Sequence, residues 1–481
     1  MPTPTKTKRS PRSSARRGGG AGPKISPASA ITNYTTALKW LFEHIDYERL
    51  RLVKYNDQTF SLDRMQQLLE LLGNPHLELK CVHVAGTKGK GSTCAMVTSM
   101  LRGCGYTVGS FSSPHLIDLR ERIVIDGNMI SYNECAEAFK QIAQVEKKLD
   151  AGPPTFFEIL TAAALKYFAD QAVDVAVLET GLGGRLDCTN VVTPLVTAIT
   201  SVSYDHMNLL GNDLSTIARE KAGIFKPGIP ALSIKQEPEV EAALNEVADQ
   251  TGTPLEYTGN QVDFSYRFEA NKELGPHTRV CVNTDTSKFE HLPVPLKGEH
   301  QAHNCGLALA ILDKLKSHGF HFEEQRLIQG LADTNLPGRM ELVHEKPRVI
   351  IDGAHNAASL QALIKSLGAH VQYDSLVMVF GCGADKDVNG MLEQVALGAD
   401  KVVFTRAKMN PRAMEEQDLL TQFADLSGKM AQTASTLPEA LKLAGRAVSR
   451  EDLIIVTGSF YLAGEARKYF LDATGKPRPR R

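Results

Sequence analysis

The chain has 481 residues, 42% hydrophobic and 23% charged, an ordinary globular balance that excludes collagen-like, fibrous and wholly disordered classes. Its 54 Lys plus Arg against 55 Asp plus Glu give a formal net charge of −1, so no global positive field exists to hold nucleic acid or an anionic membrane. No run nears the roughly 18 consecutive apolar residues of a membrane span, and the 8 cysteines include no Cys-x-x-Cys pair, which argues for reduced thiols in cytosol rather than a disulfide framework or zinc site.

At the start of the chain, Lys6, Lys8, Arg9, Arg12, Arg16, Arg17 and Lys24 stand among Ser, Pro and Gly with no acid. Residues 1–30 therefore read as a disordered basic extension, with an organelle transit peptide as the alternative, and 473–481 as a similar basic tail. Between them, short β-branched runs alternate with longer segments of helical apolar spacing, the pattern of βαβ units, and the fold class is α/β. The predicted strands are Cys81 to Ala85, Val173 to Leu178 and Leu195 to Thr200, then Val349 to Ile351, Leu376 to Phe380, Val402 to Thr405 and Leu453 to Val456. Two sheets are implied. The turn formers of Asn335-Leu336-Pro337-Gly338-Arg339 mark a hinge, giving domains at 31–335 and 336–472.

The first strand runs into Gly86-Thr87-Lys88-Gly89-Lys90-Gly91-Ser92 and then a helical segment. Glycines there let backbone N–H groups close around phosphate oxygens, the new helix presents its positive end, Lys90 reaches a terminal phosphate, and the Ser92 hydroxyl suits magnesium. Against G-x-x-x-x-G-K-[ST] the spacing is shortened, and Gly91 separates lysine from serine. The second strand delivers Glu179 at its carboxyl end, before Thr180-Gly181-Leu182-Gly183-Gly184-Arg185; that edge is where ligands sit in open parallel sheets. Glu179 can hold magnesium there, or be a turn residue paired with Arg185. The third strand ends in Ser201 to His206, which offers Asp205 as a carboxylate or helix cap and His206 as a metal ligand or loop histidine. Ser215 is expected to cap the next helix, whose Lys221 by itself reads as an exposed lysine or the partner of Glu220. In the second half Asp352-Gly353-Ala354-His355-Asn356 repeats the strand, polar loop and helix logic, with Asp352 as a site carboxylate or a cap. Asn304 and Arg339 are further candidates for nucleotide contacts.

Taken in order, GTKGKGS (86–92), SSPHL (112–116), LETGLGGRLDCTN (178–190), SYDHMNLLG (203–211), EKAGIFKPG (220–228), HQAHN (300–304), LPGRME (336–341), DGAHN (352–356) and GSFYLAGE (458–465) resemble the folylpolyglutamate synthase and dihydrofolate synthase family, of the bifunctional bacterial type, within the Mur ligase superfamily. The resemblance spans about Tyr34 to Leu471. One departure stands out: the family loop commonly reads Gly-Thr-Asn-Gly-Lys-Gly-Ser, and this chain has Lys88 at the asparagine position.

The resemblance implies an N-terminal P-loop-type Mur ligase ATPase domain and a C-terminal Rossmann-like glutamate ligase domain. The implied reaction is ADP-forming ligation of L-glutamate to dihydropteroate, to the γ-carboxyl of folate glutamates, or to both. Gly86 to Ser92, Asn304, Arg339 and Asp352 would contact nucleotide; Lys90, Lys221, Asp352 and His355 would serve catalysis. Ser92, Glu179, His206 and Lys221, the last as a carbamate, would hold two magnesium ions. Ser459 and Tyr461 would lie near the glutamate. A cytoplasmic monomer with ATP as co-substrate and no nucleic-acid or membrane partner is expected. Alternatives are another Mur-type ligase acting on a cell-wall precursor, which would lack SSPHL and LETGLGGRLD, and a non-catalytic nucleotide-binding regulator.

Overall fold

The computed structural model describes residues 27–47, 62–205, 207–272, 274–408, 410 and 412–474. Most of the two basic ends therefore lies outside the described residues. The last turn of the N-terminal segment, Pro27–Ala30, is helical, and Ala28 joins the core.

The first lobe is built on an eight-stranded sheet in the spatial order Asn128–Met129, Ile123–Ile125, Val108–Phe111, Val175–Glu179, Cys81–Ala85, Val196–Ile199, Ala231–Ile234 and Leu255–Thr258. Six strands are parallel, and the first two form an antiparallel edge. Every residue of Cys81–Ala85 and Val175–Glu179 is buried, because helices cover both faces of the sheet; the two polar residues, His83 and Glu179, are met by Thr189 and by the Ser113 N–H. On one face Lys90–Gly103, Glu299–Leu315 and Glu324–Ala332 share a core with Val82, Val84 and Val177. On the other lie Tyr132–Val145 and Phe156–Asp170, each opened by a capping box, Ser131 with Glu134 and Thr155 with Glu158.

Helix Leu214–Ala222 is capped by Asp213, whose carboxylate accepts the Thr216 N–H, and not by Ser215 as its sequence suggested. A carboxylate accepts more strongly than a hydroxyl and favours the positive helix end.

A separate three-stranded antiparallel sheet, Asp263–Asn271, Gly275–Asn283 and Lys288–Pro293, was not anticipated: the sequence implied two sheets, and the described residues form three. Its signal is alternation, Phe264, Tyr266 and Phe268 against polar neighbours, rather than a continuous apolar run, because most of Asp263–Asn271 is open to solvent.

The second lobe has six strands in the order Glu341–Glu345, Arg348–Ile351, Leu453–Thr457, Leu376–Phe380, Lys401–Phe404 and Met430–Thr433, parallel except for the first pair. The lobes meet where Leu116, on the loop after Val108–Phe111, packs against the second-lobe core cluster that includes Leu462, Ala463 and Ala466. A Cβ on Gly464 would lie 2.1 Å from the Leu116 carbonyl oxygen, and one on Gly338 would lie 3.1 Å from its side chain. Among the described residues no helix is long and apolar enough to cross a membrane.

Candidate active site

Helix Lys90–Gly103 begins on Lys90 itself, with Gly89 at its N-cap in a left-handed conformation (φ 95°) and no side chain capping it, so its first N–H groups are left for a ligand. A Cβ on Gly89 would lie 2.3 Å from Asn304 Oδ1, and one on Gly86 (φ 150°) would lie 1.8 Å from Thr200 Oγ1. Both positions demand glycine. The loop is fastened to the segment after the strand Val196–Ile199: the Thr87 N–H donates to Ser201 O at 2.7 Å, the Ser203 N–H to Thr87 Oγ1 at 3.1 Å, and the Ser201 hydroxyl to Lys88 O at 3.1 Å. Lys88 is half-buried; burial lowers its pKa, and Asp205 opposes the shift.

Lys221 is the largest surprise for a helix residue flanked by charge. Only 3% exposed, it donates to Gly86 O at 2.9 Å, the same carbonyl that accepts from Lys90 at 3.2 Å. Burial and the Lys90 charge push its ammonium down to about 7, against the pull of Asp205 and Asp187. Gly86, Thr87, Lys90, Gly181, Leu182, Gly183, Asp205, Leu210 and Lys221 line one cleft.

Glu179 is buried beside that cleft. It accepts the Ser113 N–H at 3.2 Å, and a Cβ on Gly91 would sit 3.6 Å from its carboxylate. Burial raises its pKa, while Lys90, Arg339 and Arg122 lower it. Ser92 is buried in the first turn of its helix. Among the described residues no three His, Cys, Asp or Glu side chains gather into a cage; His206 lies outside the described residues. One carboxylate and a hydroxyl beside the glycine loop are nevertheless hard-oxygen donors of the kind magnesium takes, since it retains waters and phosphate oxygens as its other ligands.

The second lobe contributes Arg339, Asp352 and His355. Asp352 is buried, accepts the Met340 and Ala354 N–H groups at 2.9 and 2.8 Å, and does not cap the following helix; Asn356 does. Burial raises the Asp352 pKa and Arg339 lowers it. Arg339 lies 4.7 Å from the Phe460 ring centre. His355 is half-buried and donates from Nδ1 to Gly353 O at 2.9 Å, which leaves Nε2 as the acceptor; burial pushes its pKa down to about 4. Because His355 feels Asp205, and Glu179 feels Arg339, the two lobes share one electrostatic neighbourhood.

Asn304 is buried, donates to Gln301 Oε1 at 2.9 Å and abuts Gly89, so it braces the loop from below. Ser459 accepts the Leu462 N–H at 3.1 Å, and Tyr461 packs against the second-lobe core. Sequence reasoning missed Asp187. Its carboxylate accepts the Gly181 and Leu182 N–H groups, each at 2.8 Å, and holds the glycine loop that lines the cleft. The available signal was an Asp two residues before Thr189, whose N–H it caps. Arg122, 1% exposed and donating to His115 Nδ1 at 2.9 Å, was missed as well.

Residues 84–312 match the Mur ligase middle domain, and residues 338–460 the Mur ligase glutamate ligase domain. The dihydrofolate synthase/folylpolyglutamate synthase of Bacillus subtilis (strain 168) is 36% identical over 413 residues, covering 85% of this chain and 94% of that relative. The Mycobacterium tuberculosis folylpolyglutamate synthase complexed with ADP superposes with a TM-score of 0.82 at 31% identity, covering 93% of this chain and 99% of that one. E. coli FolC in complex with DHPP and ADP gives 0.79 at 29% identity, with 93% and 99% covered. With both Mur ligase domains in this order and near full-length similarity to such a relative, the chain belongs to the dihydrofolate synthase/folylpolyglutamate synthase family of Mur ligases.

Proposed function

We propose that the chain uses ATP to join L-glutamate to dihydropteroate, to the γ-carboxyl of folate glutamates, or to both, releasing ADP and phosphate, with 31–335 as the ATP-binding unit and 336–472 as the glutamate ligase unit. What supports this reading is a cleft lined by Gly86, Thr87, Lys90, Asp205 and Lys221, with Glu179 within the electrostatic reach of Lys90 and of Arg339 from the second lobe, and His355 within that of Asp205.

A carboxylate is a poor electrophile, and the glutamate amine is protonated at neutral pH. An oxygen of the substrate carboxylate therefore takes the γ-phosphoryl group, ADP departs, and an acyl phosphate results. The unprotonated amine then attacks the acyl carbon, phosphate leaves, and the amine proton passes to a base. Such phosphoryl transfer needs in-line positioning and charge neutralisation more than covalent help. The loop N–H groups and Lys90 bind the phosphates, Arg339 and Asp352 orient nucleotide between the lobes, and neutral His355 positions the amine or accepts its proton at Nε2. Closure of the second lobe excludes water that would hydrolyse the acyl phosphate.

Ser92, Glu179 and His206 are the residues that would hold magnesium, which when bound neutralises triphosphate charge. With its amine near 7, Lys221 is partly neutral at physiological pH, the form that adds CO2 to give a carbamate and a proton. That carbamate would supply an anionic oxygen toward a second magnesium ion.

The deciding experiment measures ADP release with dihydropteroate and tetrahydrofolate separately, each with and without glutamate. Release that requires a pteroate substrate and glutamate together is expected. Release with only a muramyl substrate, or none at all, overturns the reading.

A further inference from the structure

A second contact between the lobes forms at the end of helix Ala357–His370. Its last residue, His370, is 8% exposed and lodged against the first lobe. Nδ1 lies 3.1 Å from Pro276 O, and Nε2 lies 3.1 Å from the Gly298 amide nitrogen. A carbonyl only accepts and an amide N–H only donates, so Nδ1 must carry the proton and Nε2 must be bare. The contact therefore requires the neutral imidazole. Protonation would set Nε2–H against the Gly298 N–H, two donors with no acceptor between them.

What His370 grips matters as much as how it grips. Gly298 is the N-cap of helix Glu299–Leu315 (φ 113°), and no side chain caps that helix. A Cβ there would lie 2.7 Å from both Ser366 Oγ on the second lobe and the His300 ring, so only glycine lets the surfaces close. One turn further along the same helix Gln301 holds Asn304, and Asn304 abuts Gly89 in the phosphate loop. A helix is rigid on this scale, so the position of the second lobe is relayed to the loop through the gripped end.

The surroundings of His370 are charged on several sides. Lys297 precedes the gripped cap, His277 sits on the strand Gly275–Asn283 close to Glu269 and Arg279, and Glu299 pairs with Lys365 across the lobes while His300 adjoins it. Phe268 meets the imidazole edge-on at 5.2 Å. Burial, Lys297 and His277 lower the His370 pKa, while the Pro276 bond raises it.

We propose that His370 is a positioning residue, an interlobe latch that engages only as the neutral Nδ1–H imidazole and that sets the second lobe against the helix bracing the phosphate loop. The proposal rests on the ligase reading only where turnover is used as a readout; amide exchange tests the latch independently. In the full-length chain at pH 7.5, His370→Ala should speed exchange across the Gly298–Asn304 segment about tenfold, the worth of one buried hydrogen bond. The same variant should lower kcat severalfold and change the KM for ATP less, because it frees the second lobe and loosens one brace of the loop while the loop N–H groups and Lys90 remain to hold phosphate. His370→Gln presents an amide oxygen to the Gly298 N–H that cannot be protonated in this range. Its exchange protection, normalised for the intrinsic rate, should persist from pH 7.5 to 5.5, while wild-type protection falls. Wild-type-like protection and kcat in His370→Ala overturn the latch, as does parallel acid loss of protection in wild type and His370→Gln. Should His370→Ala fail to fold, the wild-type and His370→Gln comparison decides alone. If no protein turns over, the ligase reading fails while exchange still judges the latch.

Discussion

Replacing Asp187 tests how the cleft wall is held. The carboxylate is 4% exposed; one oxygen takes the Gly181 and Leu182 N–H groups at 2.8 Å each, and the other takes the Thr189 N–H at 3.0 Å and the Thr189 hydroxyl. Burial raises its pKa, countered by those four donors, so the ion itself adds little net stability at neutral pH. Removal is costly for another reason: it orphans three buried N–H groups at about 1–3 kcal/mol each, less whatever water and relaxation recover, for a net loss of about 4 kcal/mol in Asp187→Ala. Asp187→Asn should fare better. Its amide oxygen serves Gly181 and Leu182, its NH2 donates to Thr189 Oγ1, and that hydroxyl turns its own proton toward His83 Nε2, now 2.8 Å away. The ring is neutral, since burial and Lys226 push its pKa down to about 3, but it accepts there only by moving its proton from Nε2 to the buried Nδ1, which has no partner among the described residues. The Thr189 N–H and the His83 Nδ1–H are then left unmet, fewer donors than in Asp187→Ala, for a net loss of about 2–3 kcal/mol. Denaturant unfolding followed by Trp40, the chain's single tryptophan and a core residue of the same lobe, reads the difference. An Asp187→Ala loss below about 1 kcal/mol, or equal losses in the two variants, would refute this accounting.

Lys221→Ala should abolish most ligase turnover without rescue by bicarbonate, and wild-type-like turnover would remove the carbamate. With the amine near 7, the neutral fraction rises from about a tenth at pH 6 to about nine tenths at pH 8, so 13C-bicarbonate uptake at Lys221 should climb and then level off; an ordinary lysine would keep gaining tenfold per pH unit. Lys88→Asn, which restores the family's common residue, should raise the KM for ATP a fewfold and weaken its salt dependence with kcat preserved. An unchanged salt slope would place the Lys88 charge out of reach of the phosphates.

Strands buried on both faces could be read directly: Leu376–Phe380 is an unbroken apolar run, Leu453–Thr457 is apolar up to its last residue and Cys81–Ala85 is interrupted only by His83, because helices cover them above and below. The exposed sheet starting at Asp263 could not be read that way, since a strand open to solvent over most of its length shows only alternation and is easily lost among polar residues. The same distinction governs the site. Glycines at 86 and 89 announce themselves, because their backbone conformations and close neighbours forbid a side chain. Lys221 does not, because Arg219-Glu220-Lys221 has the composition of a solvated helix face, and only the resemblance pointed to a special role. Its burial arises from distant packing: a Cβ on Gly184 would lie 2.6 Å from the Lys221 carbonyl, so the glycine loop and the helix backbone lie in contact. Asp187 and His370 act through backbone partners supplied by the fold, and no spacing rule identifies such partners beforehand.

The insertion of Leu116 has a consequence for how this protein can vary. Its carbonyl fills the volume that any side chain at 464 would need, and the same loop offers the Ser113 N–H to Glu179. Recognition between the halves is thus written partly in main-chain shape, which surface substitutions do not erode. A chimera joining one relative's first half to another's second half inherits a workable seam only if the tripeptide around Leu116 and the small residue facing it travel as a matched set, so the halves are held to a common history.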